Sequence, residues 1–158
     1  MFDTSKLTNK DKKILSDFFI RRELFDKYIT DNKLKLFTCP GCGYPTLAGR
    51  GHHEICDVCN WQDDYQDDKE AGEVWGGPNG HLSLTENRIN IGRILEEIAL
   101  RKRGQIITDP AEVLEIIRFY ADKQENISSK MTGKETIEDP LWLKWLKVEG
   151  ELQQALVK

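Results

Sequence analysis

Two Cys-x-x-Cys pairs constrain this chain more than any other feature of its sequence. Cys39 and Cys42 form the first pair, and Cys56 and Cys59 form the second, with 13 residues between the pairs. A two-residue gap lets both thiolates of a pair point at one ion, and two pairs supply four sulfurs in a tetrahedron. The sequence therefore predicts a closed four-cysteine metal site. Zn²⁺ is the expected cofactor, and iron with the same ligand set is the alternative.

The expected location of the chain also favours metal binding. No signal sequence is visible at the N-terminus and no apolar run is long enough for a membrane helix, so we expect a cytoplasmic protein. Thiols stay reduced there, which disfavours a disulfide staple. A thioredoxin-like redox site is a further alternative, but Gly43 and Pro45 make a poor helix start after "CPGC".

Helical patterns flank the cysteines. Apolar residues spaced by three and four predict a helix, or a broken pair of helices, before the first pair. Ser83 with Glu86 forms a capping box, and Asp109 and Asp139, each followed by proline, predict two more helix starts. Residues 33–37 alternate between polar and apolar and predict a short strand. We therefore predict an α+β fold, with a small zinc-ribbon-like β module embedded among about four α-helices.

The segment around and after the second pair is strongly acidic. Eight acidic residues and one lysine lie between Glu54 and Glu73, whereas the whole chain has a net charge of −4. Such a segment repels phosphate backbones and attracts a basic protein surface, and tryptophans are favoured as anchors at interfaces. The predicted partner-binding residues are Trp61, Asp63, Asp64, Asp67, Asp68, Glu70, Glu73 and Trp75. Alternatively, the acids form a solvated face or brace a turn, and the tryptophans pack inside the protein.

The histidines give little support for an enzyme. His52 and His53 lie between the cysteine pairs, where exposed turn residues are expected. "HHEICDVC" has a His-x-Glu near Cys-x-x-Cys, as zinc deaminases do, but those enzymes need a helix and a longer gap there. Four sulfurs also leave zinc no water to activate. We therefore predict a protein that is not an enzyme; an enzyme would need a cleft with perturbed acids near His52, His53 or His81.

Three stretches resemble, in order and spacing, the cysteine-rich CPCC family of small bacterial proteins: "CPGCGYPTL", "EICDVCNWQDD" and "GGPNGHLSLTENRIN". This resemblance covers about residues 39–92. Gly41 stands where the family typically has a further cysteine, Gln62 where it has glutamate, and Asn87 where it has alanine. The resemblance implies a zinc-ribbon-like module, and the glycine implies that a cysteine at position 41 is not needed as a ligand.

The resemblance also shapes the predicted organisation and function. We expect one compact domain with an N-terminal helical segment (1–37), a CPCC-like zinc ribbon with the acidic loop (38–92) and a C-terminal helical region (93–158). It suggests a non-enzymatic zinc-binding protein-interaction module, such as a bacterial immunity or antitoxin protein that neutralises a basic toxin, for example a nuclease effector. The alternative is a zinc-ribbon nucleic-acid-binding or transcription-associated factor. Its basic face would have to come from Lys33, Lys35, Arg50 and "RKR" at 101–103.

Overall fold

The computed structural model describes residues 3–158. It contains four α-helices: α1 (Asn9–Asp31), α2 (Leu84–Lys102), α3 (Pro110–Ser128) and α4 (Pro140–Ala155). Short 3-10 helices lie in the connecting segments, at Thr4–Lys6, Asp68–Glu70 and Gly77–Asn79. Within this described range, every helix is too short or too polar to cross a membrane.

Each α-helix begins after a residue whose side chain caps it. The cap accepts a hydrogen bond from a backbone N–H of the first turn, which satisfies a donor that the helix start leaves free. The capping box of Ser83 and Glu86 is present at the start of α2. The other caps are Thr8 for α1, Asp109 for α3 and Asp139 for α4. The helix starts predicted at Ser83, Asp109 and Asp139 are therefore confirmed.

The predicted α+β fold with a zinc-ribbon-like β module is wrong, because residues 3–158 contain no β-strand. Extended segments meet only at isolated bridges, which join Phe37 to Leu47, Ile55 to Gln62, and Ile106 to Val157. The strand predicted at 33–37 is reduced to the first of these bridges. Left-handed residues interrupt the extended backbone, with φ of 52° at Lys33, 58° at His53 and 65° at Asn60. A ladder cannot continue through them, because their backbone turns out of the extended region.

The helices pack as two pairs that share one hydrophobic core. α1 packs against α2, and α3 packs against α4, while α2 also contacts α4. Gly92 permits the close approach of the first pair, since a Cβ there would lie 2.2 Å from Cγ2 of Ile14. Tyr44, Val58 and Trp61 belong to the cysteine segment (39–61) and are buried in the same core as the helices. The cysteines are therefore positioned by helix packing as well as by their own turns.

Candidate metal centre

The four cysteines lie together. Their Sγ atoms are all within 4.8 Å of one another. The Sγ atoms of Cys39 and Cys59 are 3.7 Å apart, and those of Cys42 and Cys56 are 3.6 Å apart. All four are free thiols, of which three are buried and Cys59 is half-buried. The clustering predicted from their spacing is therefore confirmed, and the group can hold a metal ion.

The distances between the sulfurs suit a tetrahedral ion. Four Zn–S bonds of about 2.3 Å place neighbouring sulfurs about 3.8 Å apart. The measured distances of 3.7 and 3.6 Å are close to this value. Each distance joins a sulfur of the first cysteine turn (39–42) to a sulfur of the second (56–59). One ion at the centre would therefore tie the two turns together.

Two of the sulfurs accept hydrogen bonds, which favour the thiolate form that binds a cation. The N–H of Gly41 donates to Sγ of Cys39 at 3.3 Å, and the hydroxyl of Thr46 donates to Sγ of Cys56 at 3.1 Å. Burial raises the pKa of the Cys39 and Cys42 thiols. Burial also acts to raise the pKa of Cys56, but hydrogen bonds from the other cysteines and from Thr46 lower it below its ordinary value. Cation binding would release the protons that the thiols carry.

Side chains from α1 and α2 hold the backbone of the first cysteine turn. Arg21 and Arg88 each donate from Nε to a carbonyl oxygen of residues 40–42 at 2.8 Å, and Asn87 donates to another at 3.0 Å. A buried carbonyl left without a donor would cost about 1–3 kcal/mol. Sequence reasoning missed these three residues. One signal was available, because Arg88 lies four residues after Leu84 on the otherwise apolar stripe of α2.

A side chain from α4 holds the second cysteine turn. Gln153 donates from Nε2 to the carbonyl oxygen of Val58 at 2.8 Å, and both residues are buried. Within the turn, Asn60 adopts a left-handed conformation, and the N–H of Cys56 donates to the carbonyl of Trp61 at 2.9 Å. The two cysteine turns are therefore fastened to different helices, and helix packing sets the distance between their sulfurs.

Arg22 and Arg50 neutralise the centre of the acidic segment. Arg50 pairs with Asp63 at 2.8 Å and with Asp67 at 2.7 Å, and Arg22 pairs with Asp67 at 2.6 Å. Asp63 is fully buried and also accepts from the N–H of Gly51 at 2.8 Å, so it braces the turn. Burial alone would raise the pKa of Asp67, but hydrogen bonds from Arg22 and Arg50 lower it well below its ordinary value.

Three more of the predicted partner-binding acids also bond within the chain. Asp68 is exposed but pairs with Arg88 at 2.7 Å. The carboxylate of Asp64 accepts from the backbone N–H and the side chain of Gln66 at 3.2 and 2.8 Å. Glu70 closes a capping box at the start of a 3-10 helix. Much of the negative charge beside the cysteines is therefore used to hold the loop in place.

The two tryptophans that flank the acidic segment differ in exposure. Trp61 is 1% exposed and packs in the core, whereas Trp75 is 50% exposed. The Nε1 of Trp75 donates to the exposed carboxylate of Glu73 at 3.1 Å. Burial leaves Trp61 and Asp63 no surface with which to contact a partner. The predicted partner-binding residues that remain exposed are Asp68, Glu73 and Trp75.

The carboxyl groups with raised pKa lie away from the histidines. All three histidines of the chain, His52, His53 and His81, are exposed. Burial raises the pKa of Asp57 to about 6 and that of Glu149 to about 7, and the negative charge of Cys56 raises both further. Both carboxyls line a cavity of about 570 Å³ between the second cysteine turn, α3 and α4. In the part of the chain that the structure describes, no histidine lines this cavity.

Residues 37–95 match the family model described as cysteine-rich CPCC. The matched segment contains the four clustered cysteines and the whole acidic segment from Glu54 to Glu73, and it ends within α2. No curated protein and no solved structure matches the chain. The comparison therefore applies to residues 37–95, while α1, α3 and α4 lie outside them.

Proposed function

We propose that the chain is a non-enzymatic protein-interaction module whose cysteine segment folds around one structural Zn²⁺. The observation that carries this proposal is the group of four sulfurs packed within the hydrophobic core. Four sulfur ligands, from Cys39, Cys42, Cys56 and Cys59, leave no position on the ion for a reactive water. Such an ion contributes folding free energy to a segment that has few apolar residues of its own. A reducing compartment, such as the cytoplasm, would keep the thiols available.

The partner in this proposal is a protein with a basic surface. The chain has a net charge of −4, and Glu73, Val74 and Trp75 form one exposed stretch beside the cysteine segment. An aromatic side chain with a carboxylate next to it is suited to contact such a surface. An immunity or antitoxin protein that neutralises a basic toxin is the narrower form of the proposal. A nucleic-acid partner has less support, because Arg50 is already paired with Asp63 and Asp67.

Metal analysis tests the first half of the proposal. Protein purified under reducing conditions should contain one zinc per chain, and Cys56→Ser should lose it. A chelator should lower the Tm, and added zinc should restore it, because the ion stabilises only the folded segment. Purified protein without a stoichiometric ion, or with iron alone, would contradict the structural zinc.

Co-purification with the product of the neighbouring gene tests the second half. The variant Glu73→Lys with Trp75→Ala removes the charge and the aromatic ring of the exposed stretch. A matched control on α3, Glu115→Lys with Phe119→Ala, makes the same change at another exposed acid and aromatic residue. Capture should fall for the first variant and persist for the control. Equal capture of both would exclude the exposed stretch as the contact.

A further inference from the structure

The cavity beside the second cysteine turn has the size of a binding pocket. Its volume of about 570 Å³ lies within the range of about 300–1,000 Å³ that is usual for such pockets. Asp57 of the cysteine turn lines it, together with Glu125 of α3, and Trp145 and Glu149 of α4. It therefore joins the proposed metal centre to helices that lie outside the CPCC match.

The cavity is lined by carboxyl groups and lacks a cation of its own. Asp57, Glu125 and Glu149 line it, and within residues 3–158 no lysine or arginine does so. Lys123, two residues before Glu125, is paired instead with Glu151 at 2.5 Å. A divalent ion on four thiolates would leave a net charge of about −2 at the metal centre, so the charge beside the cavity would stay negative after metal binding. At a pH above about 7, where Asp57 and Glu149 are both ionised, the cavity thus presents negative charge that a bound cation would offset.

The rest of the lining suits a flat cation on an aliphatic stem. The indole of Trp145 stacks on that of Trp142, with ring centroids 5.3 Å apart and an interplanar angle of 12°, so its orientation is fixed. Ile55 and Leu146 also line the cavity and are 50% and 47% exposed. A guanidinium stacks on indole and donates to carboxylates in a planar fork, while its methylene stem packs on apolar side chains. A lysine ammonium offers a point charge without this stacking.

From this lining we propose that the cavity receives an arginine side chain of a protein partner. The inference rests on the proposed protein-binding function, and it adds the place and the chemistry of one contact. The contact lies at the junction of the second cysteine turn, α3 and α4. It is separate from the exposed stretch at 73–75.

A small probe tests the cavity without knowledge of the partner. Nα-acetyl-arginine methylamide is titrated into the zinc-loaded full chain at low salt and pH 8, where Glu149 is ionised, and the indole N–H resonance of Trp145 is followed by NMR. The uncharged analogue Nα-acetyl-citrulline methylamide is the matched control probe. The arginine probe should give a saturable shift at Trp145, and the citrulline probe should bind at least about fivefold more weakly, because only the former makes charge-assisted bonds.

Two matched variants locate the response. Glu149→Gln should weaken the arginine probe by about three- to tenfold, whereas Glu115→Gln, an equal charge change on α3 outside the cavity, should change it less than about twofold. Absence of a saturable shift at Trp145, an equal response to both probes or an equal loss in both variants would overturn the proposal. Zinc content and capture of the partner are measured separately, so these outcomes reject the cavity contact without rejecting the proposed function.

Discussion

Asn87 donates a hydrogen bond from Nδ2 to the carbonyl oxygen of Gly41 at 3.0 Å, and both residues are buried. A Cβ added at Gly41 would lie 2.6 Å from that Nδ2 atom. In the family that this segment resembles, the two positions typically carry cysteine and alanine. Two of the departures from the family motif are therefore in direct contact, where a residue without a side chain makes room for a larger one.

We predict that Gly41 and Asn87 are energetically coupled. Gly41→Ala should lower the free energy of unfolding by about 1–3 kcal/mol, because the new methyl displaces the Asn87 amide from its hydrogen bond. In an Asn87→Ala background the same change should cost about 1 kcal/mol less. Urea unfolding of the four proteins measures the cycle. Gly150→Ala, in a helix with open space around it, is the control and should be neutral or stabilising; an uncoupled cycle would contradict the contact.

Gln153 is expected to support the metal centre from α4. Gln153→Ala leaves the buried carbonyl of Val58 without its donor and should cost about 1–3 kcal/mol of stability. It should also speed the loss of zinc to a chelator, since Val58 lies between two of the cysteines. The neighbouring change Gln154→Ala is the control, and both quantities should stay near wild type. Equal stability and equal rates of zinc loss in the two variants would show that this hydrogen bond does not stabilise the metal centre.

Asp67 makes the stability of the fold depend on pH in the acidic range. Its pKa in the folded protein lies below the value of about 3.9 expected in the unfolded chain, so its pairs stabilise the fold fully above that pH. This contribution is lost as the pH falls through the folded pKa. Asp67→Asn should therefore be less stable by about 1–2 kcal/mol at neutral pH, a modest value because the pairs are partly exposed.

Paired urea titrations of wild type and Asp67→Asn check this prediction. The difference between them should be constant from pH 8 to about 5 and should shrink below about pH 4. Comparison at equal pH cancels the loss of metal in acid, which both proteins share. Asp122→Asn, at an exposed position of α3, should show no such difference. A difference that grows in acid would have the opposite sign and would refute the assignment.

Glu149 should show the reverse dependence on pH. Burial raises its pKa to about 7 in the folded protein, so the fold keeps a proton there that the unfolded chain has lost. Stability from this group is present below about pH 4 and is lost as the pH rises to about 7. Glu149→Gln should therefore match wild type near pH 5 within about 0.5 kcal/mol and exceed it by about 1–2 kcal/mol at pH 8.

Thermal or urea unfolding of the zinc-loaded proteins between pH 5 and 8 measures the effect of Glu149. Glu115→Gln changes the same charge on an exposed face and should be indifferent to pH. A wild type that is more stable than Glu149→Gln at pH 8 would show that a cation of the chain already satisfies this carboxylate. Such a result would also argue against the cavity contact with arginine.

Local sequence signals predicted the helix starts and the cysteine cluster. A cap such as Ser83 acts on backbone groups within one turn, and a Cys-x-x-Cys gap brings two sulfurs together within one loop. The strand at 33–37 failed because alternation of polarity does not show that Lys33 adopts a left-handed conformation. The sequence left open whether the acidic segment contacts a partner or braces a turn, because charge is visible in a sequence, whereas pairing with Arg22 and Arg88 depends on the tertiary structure.

The sequence by itself determined three of the helix caps, the four sulfurs and the concentration of acids beside them, because each depends on residues that are close together in the chain. Only the tertiary structure decided how those acids are used and where the cysteine turns are held. Arg22 lies 45 residues from Asp67, Arg88 lies 48 from Pro40, and Gln153 lies 95 from Val58. Contacts over such separations form only when helix packing has buried the groups, and burial is what makes a hydrogen bond or an ion pair necessary.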